Sequence, residues 1–484
     1  MSLSRSDIKA AFSTEHKLFL AFASLIIICG TISTLLYTPV PMALPIGILY
    51  IHFCIQNPKG LYYLFFMILP FSVEISLGSL GTDLPSEPIM VTLLGIAILL
   101  FITNGRKLDK RIITHPISLL LLLHVSWIAL TGLSSTYPLI SLKYLIAKIW
   151  YVIPFYFLTL FLMKNRDDFS LIFSRVAPFL VLAILYVIAN HAAKGFSFAS
   201  SDHVVKPIFR NPVNYGVMLL IFVPYYVYLI KYKFKTWKSI RYMVFGILLI
   251  GIYFSYTRAA QLALVLAIVF YFIIRWRLLK LAIVATLIGV IGLVGYLSIG
   301  NKYMEYTPEF EKAITHHKFD NLLEATSKLE DVSTVERFYR WIAGAYMVKE
   351  KPLVGFGPST FYSNYRAFTV NSFKTYVSDN PEKSGIHNNY LMIAVEQGIP
   401  GLLIMLCLSF IPLLFGERVY HLLDSPADKG LLIAAMTCHF LISITLFMNE
   451  LLEADKIGPF YFLSTAIITF YAIQNEKSTN KSLT

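Results

Sequence analysis

Charge is scarce in this chain: 14% of its 484 residues are Asp, Glu, Lys or Arg, against 57% hydrophobic. A soluble domain of this length cannot hide that much apolar surface in one core, so the first reading is a membrane protein. Cysteine is scarcer still, at four residues. Cys29, Cys54, Cys407 and Cys438 all fall inside apolar segments without metal-ligand spacing, so they form no site and say little about redox compartment. Short segments of alternating polarity are missing, which argues against an outer-membrane barrel. No GxGxxG opens a helix after a strand. The GFG at Gly355 to Gly357 reads as turn chemistry, not as a nucleotide fingerprint.

What the chain has instead is a succession of unbroken apolar runs. A bilayer core of about 30 Å needs roughly 20 apolar residues per helix. Runs such as KLFLAFASLIIICGTISTLLY (Lys17 to Tyr37) and LAIVATLIGVIGLVGYL recur from end to end. The expected fold class is all-α, a polytopic transmembrane helical bundle of about 12 to 14 spans. Short spans are expected at residues 41–56 and 61–75. The first run is too long for a signal peptide and lacks a small-residue cleavage pattern, so it reads as a retained helix.

Alternate connections carry the basic residues: the N-terminus (Arg5, Lys9), NGRKLDKRI, MKNRDD, KYKFKTWKSIR and RWRLLK. The intervening ones are poor in Lys and Arg or rich in acids, as in EISLGSLGTDLPSEP and NELLEADK. The inside rule then puts the basic connections and both termini in the cytoplasm. The formal charge of +13 is thereby explained by topology and anionic lipid, and no nucleic-acid partner is expected. Residues 1–484 read as one integral membrane domain. Its one long connection, residues 299–386, forms a subdomain on the outer side, where long loops commonly carry function. No repeat of hydropathy marks the two halves of a transporter.

Cations on that outer face are not explained by the inside rule: chiefly Lys143, Lys148, Lys194, Lys206, Arg210, Arg258, Arg337 and Arg340. Arg258, in YFSYTRAAQ, sits in the first turn of a helix that Ser255 or Thr257 caps. A cation there opposes the macrodipole unless an anion binds between them, and the other reading is an Arg snorkelling to headgroups. Arg210, in KPIFRNPVNYG, either shares that role or is an ordinary interfacial Arg. STVERFYRWIAGAYMVKEKPLVGFGPSTF predicts a helix from near Ser333 that ends before Pro352. Its Arg337 and Arg340 share a face, either pairing with Glu336 or headgroups or completing a phosphate clamp.

In GIHNNYLMIAVEQGIPGLL, a short interfacial helix over residues 387–398 is separated from the next span by Gly398, Pro400 and Gly401. His387 is either a structural hydrogen-bonder or a base, since its neutral form accepts a proton, which no Arg or Lys of the cluster does.

The ordered set SYTRAA, KPLVGFGPSTF and HNNYLMIAVEQGIPGLL, over about Tyr253 to Phe415, resembles the O-antigen ligase and O-antigen polymerase superfamily of bacterial membrane glycosyltransferases. The resemblance implies a glycosyltransferase-C-like helical fold in the inner membrane, with one large periplasmic loop and a site facing the periplasm. It implies a glycan donor on undecaprenyl pyrophosphate and no metal or other cofactor. By position it makes Arg258, Arg337 and His387 catalytic, with Arg340 as the substitute for Arg337. Arg210 matches loosely, and Lys148, Asn388 and Asn389 complete the candidate substrate-binding set. Asn388 and Asn389 either touch sugar or begin the helix, and Tyr362, Tyr365 and Tyr376 either bind sugar or anchor the loop at the interface. The acceptor is lipid A core for a ligase; a repeat-unit polymerase, a protein O-oligosaccharyltransferase and a non-enzymatic glycolipid transporter are the alternatives.

Overall fold

The computed structural model describes residues 5–77, 80–105, 109–233, 238–306, 332–370 and 385–483. Arg106, Lys107, Lys235 and Tyr376 lie outside the described residues. Helix makes up about 82% of the structure, as the all-α expectation has it. Two compact units are distinguished, Met1–Leu64 and Phe65–Thr484.

The first unit holds α1 (Arg5–Leu35), α2 (Ala43–Gln56) and the start of α3 (Pro58–Ile68). The sequence places two separate spans at 41–56 and 61–75; the structure differs. Asn57 precedes a proline and leaves helical geometry (φ −136°, ψ 64°), because the ring of Pro58 crowds its backbone. The chain bends by 111° there. The resulting helices, of 14 and 11 residues, are each short of the roughly 20 needed to cross a bilayer.

The second unit begins within α3, at Phe65, and continues into an antiparallel hairpin, β1 (Val73–Leu77) and β2 (Leu80–Leu84), where the sequence reading continued a span to residue 75. There follow α4 (Ser86–Asn104), α5 (Pro116–Leu133) and α6 (Pro138–Val152), the last running on through a π-helical stretch to Leu162. Then come α7 (Arg166–Ala193), α8 (Pro212–Tyr228), α9 (Lys238–Tyr253), α10 (Arg258–Arg275) and α11 (Leu279–Ser298). The chain closes with α12 (Val332–Glu350), α13 (Asn389–Leu422), α14 (Pro426–Thr445) and α15 (Gly458–Leu483). Among the described residues ten helices are long and apolar enough to cross a membrane, or eleven if the bent pair is one span, with Ser239–Tyr253 shorter.

The core is built on α8, α13, α14 and α15, which pack on one another, with α5 against α13. Rings interlock across it: Phe173 stacks on Tyr225 and Phe270 on Phe440. At the other extreme, none of the most apolar window of α11 is buried. A helix apolar on every side and covered by no protein is stable only where lipid covers it, since its backbone bonds are all internal.

The position of the site is set by one break in α13. Gly398 has φ 73° and ψ −179°, a geometry open essentially to glycine alone. The break frees backbone groups that a straight helix would pair internally. The segment after α12 takes them up: Phe356 and Gly357 donate N–H to the carbonyls of Val395 (3.0 Å) and Glu396 (2.9 Å), and Ile399 donates to Pro352 O (2.7 Å). Trp127 of α5 donates its indole N–H to Gln397 O (3.0 Å). The GFG and QGIPG stretches are therefore two halves of one joint. Gly398→Ala is expected to cost roughly 1–3 kcal/mol through backbone strain, and its Cβ would collide with the Leu353 carbonyl. A clear drop in the thermal midpoint of the detergent-purified protein checks this; an unchanged midpoint would show that the joint relaxes.

Candidate functional site

α12 packs on α13 through a small apolar core of Tyr339, Ile342, Met347, Phe356, Phe361, Tyr365, Ile386 and Val395. Tyr365, one of the aromatics considered for sugar, is buried in this core and stacks on Phe361, so it anchors the segment. At the rim of the core runs the tripeptide Gly385–Ile386–His387, held at every turn by its backbone. Arg340 Nη1 donates to Gly385 O (2.9 Å) and Trp341 Nε1 to Ile386 O (3.1 Å). The His387 N–H donates to Glu450 Oε1 (2.7 Å).

His387 itself is in the left-handed region (φ 57°), so it stands off the helix instead of starting it. Asn388 is the N-cap, its side chain accepting from the Leu391 N–H (3.0 Å), and α13 begins at Asn389. Of the two readings of Asn388, the helix-starting one is what its geometry displays. Asn389 donates its backbone N–H to Leu446 O (2.9 Å), while its buried side-chain amide has no hydrogen-bond partner among the described residues. A buried amide in that state costs free energy unless something else pairs with it.

Burial, with the charges of Arg337 and Arg340 adding to it, pushes the His387 imidazole down to about 4. It is therefore neutral at pH 7 and carries a lone pair. Arg340 is buried and tied to Gly385 O and, at 3.7 Å, to Glu336. Its donors hold the loop, whereas Arg337, half-buried three residues earlier, lies on the same helix with its charge acting on the imidazole.

The loop between α14 and α15, Asn449 to Ile457, engages Lys148 among the candidate cations. Glu453 Oε1 accepts from both Lys148 Nζ of α6 and the Tyr144 hydroxyl (2.8 Å). Ser86 donates to Asp455 (2.9 Å), and Lys456 donates to the carbonyls of Leu69 (3.0 Å) and Ser72 (2.6 Å). In the hairpin, Glu74 sits directly opposite Asp83, a like-charge pair that destabilises a ladder unless bridged. Arg210 bridges it, with Nε 3.0 Å from Glu74 and Nη2 2.8 Å from Asp83. Burial and Asp455 nevertheless push the Asp83 carboxyl up to about 6, against the pull of Arg210. Arg210 thus has two carboxylate partners that its reading as a substrate ligand did not foresee.

Arg258 opens α10 as expected, but Thr257, in the N-cap position, makes no side-chain cap. Its hydroxyl donates instead to Pro212 O (3.0 Å), which brings the start of α10 to the chain just after Arg210. The uncapped first turn is where the macrodipole favours an anion.

The sequence reading missed three acids. Glu450 and Glu453 passed as ordinary charge in the outer loop NELLEADK. Glu396, wholly buried, accepts the N–H groups of Ser359 (2.7 Å) and Phe361 (3.0 Å). The available signal was its place next to the Gly398 break inside an apolar run, where an acid is costly.

Fold and site together define a polytopic helical membrane protein with a polar corner at a kinked helix, where a neutral histidine lies beside arginines. Residues 243–406, which span α9 to the kink of α13 and include Arg258, Arg337 and His387, match the sequence model of a family described as O-antigen ligase. The match supports the O-antigen ligase superfamily for this chain, a family of membrane glycosyltransferase- or ligase-type enzymes acting on lipid-linked glycans. No curated protein matches the chain.

Proposed function

We propose that the protein is an O-antigen ligase-type glycosyltransferase of the bacterial inner membrane. It moves a glycan from undecaprenyl pyrophosphate to lipid A core at the periplasmic face, with both termini in the cytoplasm. The observation that carries this reading is the placement of a neutral imidazole, His387, beside the cations of α12 at the end of a kinked span. Pyrophosphate is a good leaving group that needs charge stabilisation more than a proton, and guanidinium groups with an open helix N-terminus supply it. Arg337 and Arg258 take this role, while Lys148, paired with Glu453, and Arg210, paired with Glu74 and Asp83, are secondary candidates.

The acceptor hydroxyl gives its proton to His387 as its oxygen attacks the anomeric carbon. The bond from that carbon to the pyrophosphate oxygen breaks, the pyrophosphate leaves with the electron pair, and the configuration inverts. The unpartnered amide of Asn389 suits a sugar hydroxyl. A repeat-unit polymerase would use the same donor chemistry and differ only in acceptor. The lipopolysaccharide of a deletion strain separates the two: loss of all capped core supports the ligase, core carrying one repeat supports the polymerase, and an unchanged pattern sinks both.

A further inference from the structure

We propose that Glu450 is the positioning residue for His387, setting the direction of the imidazole by gripping the backbone that carries it. The proposal rests on the reading of His387 as the base and names the group on which that base depends. Glu450 lies in the loop between α14 and α15, 63 residues from His387, so nothing local requires the pairing. The carboxylate accepts the His387 N–H, and a Cβ added at Gly385 would overlap it. Gly385 therefore leaves room for the carboxylate, and the carboxylate satisfies the N–H of the residue in the left-handed turn before α13.

The opposite edge of the strap is held just as closely, by Arg340 on Gly385 O and Trp341 on Ile386 O. With three backbone atoms fixed, the imidazole has little freedom beyond its own side-chain torsions. Removal of the Glu450 grip frees one edge while the other stays pinned, so the strap pivots and does not unfold. Glu450 is the positioning group and not the proton acceptor in this arrangement, its Oε1 being taken by the His387 N–H. The titratable and charged groups around it are Glu453, Glu396, Tyr144, Arg340 and His387, and those acting on His387 are Arg337 and Arg340. Burial, opposed by the His387 N–H, brings the Glu450 carboxyl up to about 7. Protonation near neutrality weakens the grip, and it does so well above the pH at which His387 itself gains a proton.

The test uses the full-length protein in nanodiscs, with undecaprenyl-pyrophosphate glycan as donor. Glu450→Gln, which keeps the shape but loses the anion, is expected to lower kcat by about 10²-fold, the scale of a small misplacement of a catalytic group. Donor affinity should stay within about twofold of wild type, because the arginines are untouched. Glu450→Asp should recover part of kcat. Wild-type rate should show a partial step near pH 7 that Glu450→Gln lacks. Peptide-resolved labelling with diethylpyrocarbonate should change at His387 in the Gln variant and not at His421, and this arm needs no transfer activity. If wild-type protein transfers no glycan, the function proposed above fails, yet the labelling still decides whether Glu450 sets His387. Unchanged labelling at His387 would overturn the proposal, whether kcat falls or not.

Discussion

Replacing His387 with alanine is expected to lower glycan transfer by about 10²- to 10⁴-fold, the usual contribution of a positioned general base, with donor binding retained. The fold should survive the change, because the strap is held by backbone bonds to Arg340, Trp341 and Glu450 and not by the imidazole. The pH dependence gives the sharper readout. Burial first, then Arg337 and Arg340, hold the imidazole at about 4, so the proton-accepting form is present at neutral pH and is lost as pH falls through that value. A pyrophosphate bound at the arginines offsets their charge and makes the imidazole more basic in the complex than in the free protein. The acid limb of kcat should therefore lie at higher pH than that of kcat/KM, since the first reports the complex and the second the free enzyme. His387→Ala should abolish this limb. Wild-type rates in the alanine variant, at matched expression in membranes, would remove His387 from the mechanism.

The sequence made the class of fold legible because bilayer burial imposes a length and a composition on each helix, and the runs that became α4, α8 and α11 satisfy both. The break at Gly398 was legible as well: glycine, proline and glycine within four residues leave few alternatives. Its use was not. Nothing local says that the carbonyls freed at Val395 and Glu396 are taken up by the N–H groups of Phe356 and Gly357, about forty residues upstream. The same limit explains the acids. Glu450 and Glu453 occupy a connection where charge is the default, so only a partner distant in sequence distinguishes them from solvated side chains. Arg210 illustrates the converse: a cation that the inside rule leaves unexplained has its partners in a hairpin, at Glu74 and Asp83, in a stretch whose strand character was masked by the surrounding hydrophobicity. The either-or between Arg337 and Arg340 was undecidable from spacing alone, since residues three apart share a helix face. Tertiary contacts add what spacing does not carry, that Arg340 donates to the Gly385 carbonyl.

Arg337→Ala is expected to lower kcat/KM for the lipid-linked donor by about 10²- to 10³-fold, comparable to loss of one preorganised donor at a developing anion. Arg337→Lys should recover only a minor part, because a point charge does not reproduce the planar fork that meets two phosphate oxygens at once. A second consequence separates this role from simple structural support. Arg337 is among the charges that depress His387, so its removal should raise the basicity of the imidazole in the free protein and move the acid limb of kcat/KM to higher pH. The alanine variant should thus be slower and yet titrate closer to neutrality, a combination that general loss of fold does not produce. The Lys variant, which retains the charge, should keep the limb near its wild-type position while remaining slow. The pair can be measured with one donor across a pH series, together with donor affinity. If Arg337→Ala leaves both donor affinity and the acid limb unchanged, then Arg337 neither binds the pyrophosphate nor tunes His387, and the phosphate-binding role passes to Arg258 at the uncapped start of α10.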